Sequence, residues 1–280
     1  MKSLSAPLAA ATAALLCSAA FIAPAEARTR HATAQVHGQR GSASAERTTV
    51  RARGERSRTT TVTGANGRTT TATDTRARDR QAGTATHEHD RTYADGATRS
   101  VDANAQRTGA GTYSASRTVT GRDGESHTQT GDFTRTATEN GHSVTGTVQT
   151  ENHGVIDYQR DTAHVDGTRT VNASSTFEDG TSRTRATSTS RDATTGVVSS
   201  NGSFTNRQGE TTTSASVRTP TETGAIYSRD TSLADGTTRE VDRTRTNTGP
   251  GTASIDRTVT DRDGDVHTQT GTVVVTPPHP

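Results

Sequence analysis

The sequence predicts an all-β fold, a repetitive antiparallel meander of long polar strands joined by tight hairpin turns. Three observations lead there. Nine Asn-Gly or Asp-Gly dipeptides punctuate the chain, at Asn66, Asp95, Asp123, Asn140, Asp166, Asp179, Asn201, Asp235 and Asp263 and the glycine after each; these pairs accept positive φ in two-residue hairpin turns. Turn glycines recur with a mean period of about 14 residues, or about 28 per hairpin. Between them Thr alternates with other residues, as in Thr134-Arg135-Thr136-Ala137-Thr138, and 60 of the 280 residues are Thr, a β-branched type that favours extended backbone.

Taken in order, residues 1–27 read as a signal peptide: Lys2 supplies the charge, Leu8 to Ile22 an apolar run, and Ala25-Glu26-Ala27 the small-x-small cleavage site. A lipoprotein signal ending at Cys17 is the competing reading, disfavoured by Leu16, which stands where a small residue is wanted. Residues 28–58 carry eight Arg against Glu46 and Glu55 and only Val36 and Val50 as large apolar residues, which predicts a basic disordered arm. Residues 59–276 are the β-repeat region, expected to hold about fifteen strands of roughly 10 to 12 residues. Pro277, Pro278 and Pro280 end it as a Pro-rich tail, 277–280.

The repeat is also visible as identity. Residues 91–131 match 231–271 at a fixed offset of 140, with Arg117-Thr118-Val119-Thr120 recurring as Arg257-Thr258-Val259-Thr260 and His127-Thr128-Gln129-Thr130-Gly131 as His267-Thr268-Gln269-Thr270-Gly271. Such short units imply a quasi-linear array.

Beyond residue 27 there are one Leu, three Ile, nineteen Val and three Phe. This is about half the apolar share of a typical globular domain. The sheet is therefore expected to lack a conventional core, with Arg and Asp on both faces. A partial apolar face runs through Val171, Ala173, Ser175 and Phe177, beside Ile156 and Tyr158, and Phe177 is expected to be only partly covered. Two other architectures fit the composition: a largely disordered chain, and a parallel solenoid of 14-residue coils, which needs inward apolar stacks that the sequence lacks.

Candidate sites are few. His87 and His89 lie two apart on one strand face and offer two imidazoles to a divalent metal, but no third ligand has a defined position, so no metal site is assigned. Asp261-Arg262-Asp263-Gly264-Asp265 has the carboxylate density of a calcium loop without its spacing, and reads as a solvated turn. There is no Gly-x-Ser-x-Gly elbow, no Cys after residue 17 and no phosphate-binding Gly-rich loop, so no catalytic residue and no cofactor is expected. Tyr93, Tyr113, Tyr158, Tyr227, Phe133, Phe177 and Phe204 are spread too widely along the chain for a stacking platform and read as packing anchors.

The Thr-x-Thr triplets resemble those of β-solenoid ice-binding proteins. The chain as a whole resembles the uncharacterised secreted Thr/Arg/Gly-rich repeat proteins of proteobacteria, with Arg117-Thr118-Val119-Thr120-Gly121-Arg122-Asp123-Gly124 as the representative motif. That resemblance implies an exported envelope protein and carries no activity or site residues. The functional expectation is a secreted, non-enzymatic structural or adhesive protein of the envelope or matrix, in the periplasm, on the cell surface or outside the cell. Its alternative is a polysaccharide- or ice-binding module using Thr and Arg rows. The expected partners are anionic polysaccharide or lipopolysaccharide, reached through the basic arm, with no specific nucleic acid, no transmembrane span in the mature chain, and self-association through strand edges.

Overall fold

A computed structural model of the chain describes residues 28–38 and 41–276. The signal peptide and the Pro-rich tail lie outside the described residues. Every described element is a strand. The first six are β1 (Arg28–Gly38), β2 (Gly41–Ala52), β3 (Glu55–Thr63), β4 (Thr69–Asp79), β5 (Thr84–Thr92) and β6 (Thr98–Arg107). Next come β7 (Thr112–Thr120), β8 (Ser126–Thr138), β9 (Gly141–Thr150), β10 (Gly154–Val165), β11 (Thr168–Phe177) and β12 (Ser182–Arg191). The last six are β13 (Val198–Thr205), β14 (Thr211–Thr221), β15 (Gly224–Ser232), β16 (Thr238–Gly249), β17 (Thr252–Thr260) and β18 (Val266–Thr276).

Each strand pairs antiparallel with the next, so the meander and its period hold, and neither disorder nor a solenoid describes it. The count is eighteen strands, not about fifteen. The difference comes from residues 28–58. They are not an arm: they form β1, β2 and the start of β3, and β1 pairs with both β2 and β18 (His31 opposite Thr276, Gly38 opposite Gln269), which closes the sheet into a barrel. The apolar count missed this because the best-covered residues there are small. Ala34 and Ala45 are each 1% exposed and pack with Val62, while Val36 packs with Ile255 across the seam.

The turns follow the sequence with one revision of type. Only Asp166-Gly167 forms a two-residue turn, both residues at positive φ (48° and 72°). Six others are three-residue loops in which Gly closes a type I turn, as where the Gly96 N–H reaches the Tyr93 carbonyl at 2.9 Å and the Tyr93 N–H reaches Ala97 at 2.8 Å. At Asn140-Gly141 the two-residue turn is Glu139-Asn140, and Gly141 already opens β9 opposite Thr138. Asn201-Gly202 is not a turn at all. It lies within β13, paired with Ser188 and Thr187, because the turns at Gly196 and Gly209 already bound that strand. At the end of the barrel that holds both termini, Gly111 and Gly251 sit at positive φ under the neighbouring strand. A Cβ there would meet the carbonyl of Arg135 at 2.8 Å or of Val275 at 2.5 Å. Those approaches allow the ladder to run on over the turns, through Arg135 N–H to Gly111 and Val275 N–H to Gly251, each 2.7 Å.

Side chains alternate between the two faces of each strand, so the register assigns every strand residue to a face. Among the described residues all sixteen buried ones, Ala34 through Val259, fall on the same face, which is the concave inner wall. Phe177, expected to be partly covered, is 7% exposed on that wall.

Candidate functional site

The inner wall carries the distinctive chemistry. Residues 28–280 contain 31 arginines. Arg53, Arg68, Arg80, Arg122, Arg207 and Arg262 lie in turns, and Arg40 lies outside the described residues. The other twenty-four all point inward. Fourteen carboxylates lie in strands, and thirteen of them, Asp74 excepted, point outward with the Thr and Ser rows. The expectation of both charges on both faces is therefore wrong. The reason is parity: in a strand such as β6, Asp102 and Arg107 are an odd number of residues apart and so face opposite ways.

Cross-strand neighbours make the inner wall more cationic still. Arg28 faces Arg51, Arg51 faces Arg56 and Arg56 faces Arg76 on four successive strands. Arg91 faces Arg99, and Arg243 faces Arg257. Like charges directly opposite repel across a strand spacing of about 4.8 Å. In addition, the Nε atoms of Arg56, Arg58, Arg91 and Arg160 are screened from solvent with no hydrogen-bond partner. A donor in that state is costly, and the facing guanidinium groups leave the inner wall with positive charge that no inward strand carboxylate but Asp74 offsets.

Among the described strand residues Asp74 is the single inward carboxylate, and it is engaged by its neighbours. His87 Nε2 stands 2.8 Å from it, Arg76 Nε 3.2 Å and His89 Nδ1 3.9 Å. His87 and His89 thus do share a face and a carboxylate, with an arginine beside them. Among the described residues no set of three or more His, Cys, Asp or Glu side chains is arranged to hold a metal ion. His127 and His267 occupy equivalent inner positions opposite Val119 and Val259. Asp261 accepts the amides of Asp263 (3.1 Å) and Asp265 (3.0 Å), a turn rather than a calcium loop.

The aromatic residues, read as scattered, converge. Tyr113 on β7, Phe133 on β8, Tyr158 on β10, Phe177 on β11 and Phe204 on β13 all face inward and line one cavity of about 790 Å³. Tyr113 and Phe133 stack at 5.5 Å, and Tyr158 meets Phe133 edge-on at 6.0 Å. Gly146, between Phe133 and Tyr158 in the register, makes room for this, since a Cβ there would lie 2.7 Å from the Phe133 ring. Arg183, Arg207 and Arg160 share the lining, and Arg207 lies 4.1 Å over Phe177. The signal was in the sequence as strand parity plus register, but the register follows from the exact turn lengths between β7 and β13, which the turn dipeptides alone do not give. A second hollow of about 570 Å³, over β11 to β15, is lined by small and hydroxyl residues with Asn172, Asn201 and Asp230, and holds no aromatic or cationic group.

No family model and no curated protein matches the chain. Solved structures do. The chain is similar to a triple mutant of the Rhodopseudomonas blastica porin, with a TM-score of 0.53 at 7% identity, over 90% of this chain and 99% of that one. It is also similar to Pseudomonas aeruginosa OccK2 (OpdF), with a TM-score of 0.51 at 8% identity over 90% and 97%, and to the same protein solved in complex with glucuronate, again at 0.51 and 8%. At this identity the likeness is one of fold, a closed antiparallel barrel.

Three expectations fall with it. The structural or adhesive repeat protein, and its polysaccharide- or ice-binding alternative, needed an open sheet showing Thr and Arg together. In the porin-like barrel the Thr rows are outside and the Arg rows inside. Polysaccharide capture by a basic arm fails because the arm is wall. The absence of a transmembrane span was argued from hydrophobic runs. No described helix is long and apolar enough to cross a membrane, but barrels cross with strands, and strands of 8 to 13 residues include the span length of about 9 to 11.

Proposed function

We propose that this protein is a porin-like channel of the outer membrane that passes small anions through an arginine-lined lumen. One observation carries the reading: a closed barrel of eighteen strands with all twenty-four strand arginines on its inner wall. Barrels of sixteen to eighteen strands leave an aqueous channel, and a pore walled by one sign of charge raises the local concentration of the opposite ion. Short connections at both ends leave no long loop to fold inward and narrow the lumen. The mechanism is electrostatic and non-enzymatic. The facing arginines stand on adjacent strands about 4.8 Å apart, so an anion passes along a row of guanidinium groups, and the sharing of its charge between neighbours keeps each stop weak.

The test is conductance of the mature protein in a planar bilayer under a potassium chloride gradient. The expected reversal potential has the sign of chloride selectivity, and the selectivity shrinks as salt rises toward about 1 M, where the screening length falls to about 3 Å. A cation-selective pore, or one without selectivity at low salt, overturns the reading.

A further inference from the structure

We infer that the inner wall between β7 and β13 holds a binding site for an organic anion with a planar apolar ring, an aromatic carboxylate in its simplest form. The cavity's volume of about 790 Å³ lies within the ordinary small-molecule range of roughly 300 to 1,000 Å³. Its lining is apolar over one part, where Val144, Val148 and Ile156 join the rings of Phe133, Tyr158 and Phe177, with Ile156 directly opposite Phe177. Rings at 5.5 and 6.0 Å, one stacked and one edge-on, are the arrangement that accepts a further flat ring.

The charge is as one-sided as that part is apolar. Arg160, Arg183 and Arg207 line the cavity, and no carboxylate does. Arg160 is the deep one, and its Nε is screened from solvent with no partner. Arg207 is held over Phe177 by Asp179 and by the Thr181 hydroxyl at 2.9 Å, so its position is set in advance. An anion that is only charge and water is better served by the row of Arg28, Arg51, Arg56 and Arg76, which includes no aromatic ring. A neutral ring leaves the positive charge of the lining uncompensated. Only a ligand with both parts satisfies the whole lining.

The site requires the closed wall but not passage across a bilayer, so it is tested apart from the channel reading. Calorimetric titration of the folded mature protein with 2-naphthoate is compared with acetate, which has the charge without the ring, and 2-naphthalenemethanol, which has the ring without the charge. Naphthoate is expected to bind at least about tenfold tighter than either. Arg160→Gln and Phe204→Ser are each expected to weaken naphthoate about tenfold, whereas Arg53→Gln in the β2–β3 turn leaves it within about twofold. Phe204 is 44% exposed, so its truncation spares the fold. If Arg160→Gln lowers the melting temperature, Arg183→Gln at the same cavity replaces it. Equal affinity for naphthoate and acetate, or naphthoate binding untouched by these variants, overturns the site. Selective conductance with no naphthoate binding rejects the site and keeps the channel, and binding without conductance does the reverse.

Discussion

Aspartates in the turns act as caps for the residues that follow them. Asp179 accepts the Thr181 amide at 3.0 Å and its hydroxyl at 2.6 Å, and Asp235 takes the same two bonds from Thr237. The Thr side-chain bond, then the amide bond, holds each carboxyl below the usual aspartate range. Asp192 is lowered likewise by the amides of Thr195 and Thr194. Because the folded pKa lies below the unfolded one, the stabilisation is complete above the unfolded value and is lost as pH falls through the folded one. Turn stability should therefore decline below about pH 4. A thermal-unfolding series on Asp179→Ala with Asp235→Ala is expected to show a lower midpoint at neutral pH that converges on the parent's in acid, and parallel curves would refute the role. This layer was largely legible in the sequence: eight of the nine dipeptides do mark turns, and Asn201-Gly202 failed because a dipeptide alone carries no information about the turns already placed on either side of it.

Neighbouring turns at the end away from the termini are tied to one another. Arg122 pairs with Asp95, Arg207 with Asp179, and Glu151 reaches back to His127 at 3.3 Å. Arg122 also lies 4.3 Å over the Tyr93 ring. The offset of 140 residues falls out of this architecture, since ten strands of about 14 residues carry β5–β8 onto β15–β18. Element existence and period were thus readable, but closure was not, because it pairs β1 with β18 across nearly the whole chain and depends on small buried residues in a stretch whose charge suggests disorder. The consequence is sharp for truncation. A version starting at Thr59 loses β1, β2 and part of β3, and with them Ala34, Val36 and Ala45. It is expected to present unpaired edges and to associate, which size-exclusion chromatography with light scattering would detect as oligomers where the mature chain gives one species. A monomeric truncated barrel with unchanged circular dichroism would show that the seam is dispensable.

For the whole molecule the decisive contrast is between the two walls. Arginines and aromatics are inside, and the outer face bears hydroxyl rows such as Thr118 with Thr128 (3.0 Å) and Thr205 with Thr211 (2.9 Å), the thirteen outward carboxylates, and no strand Tyr or Phe. A lipid-facing barrel wall ordinarily carries an apolar band between aromatic girdles. Each outward carboxylate opposes insertion while it is ionised, and protonation removes most of that cost. Insertion into a bilayer should therefore be more frequent at about pH 4 than at pH 7. The chain beyond residue 17 has no cysteine, so single cysteines report cleanly on each wall. Thr130→Cys faces outward in the middle of β8, and Gln129→Cys faces inward beside it. With a polar, membrane-impermeant thiol reagent, a channel in lipid vesicles is expected to react at position 129 and to be protected at 130, the protection growing as pH is lowered. Equal reaction at both positions at every pH, together with silent bilayers, would put water on both faces of the wall. That outcome ends the channel reading and leaves the arginine lumen as a place where anions are held rather than passed.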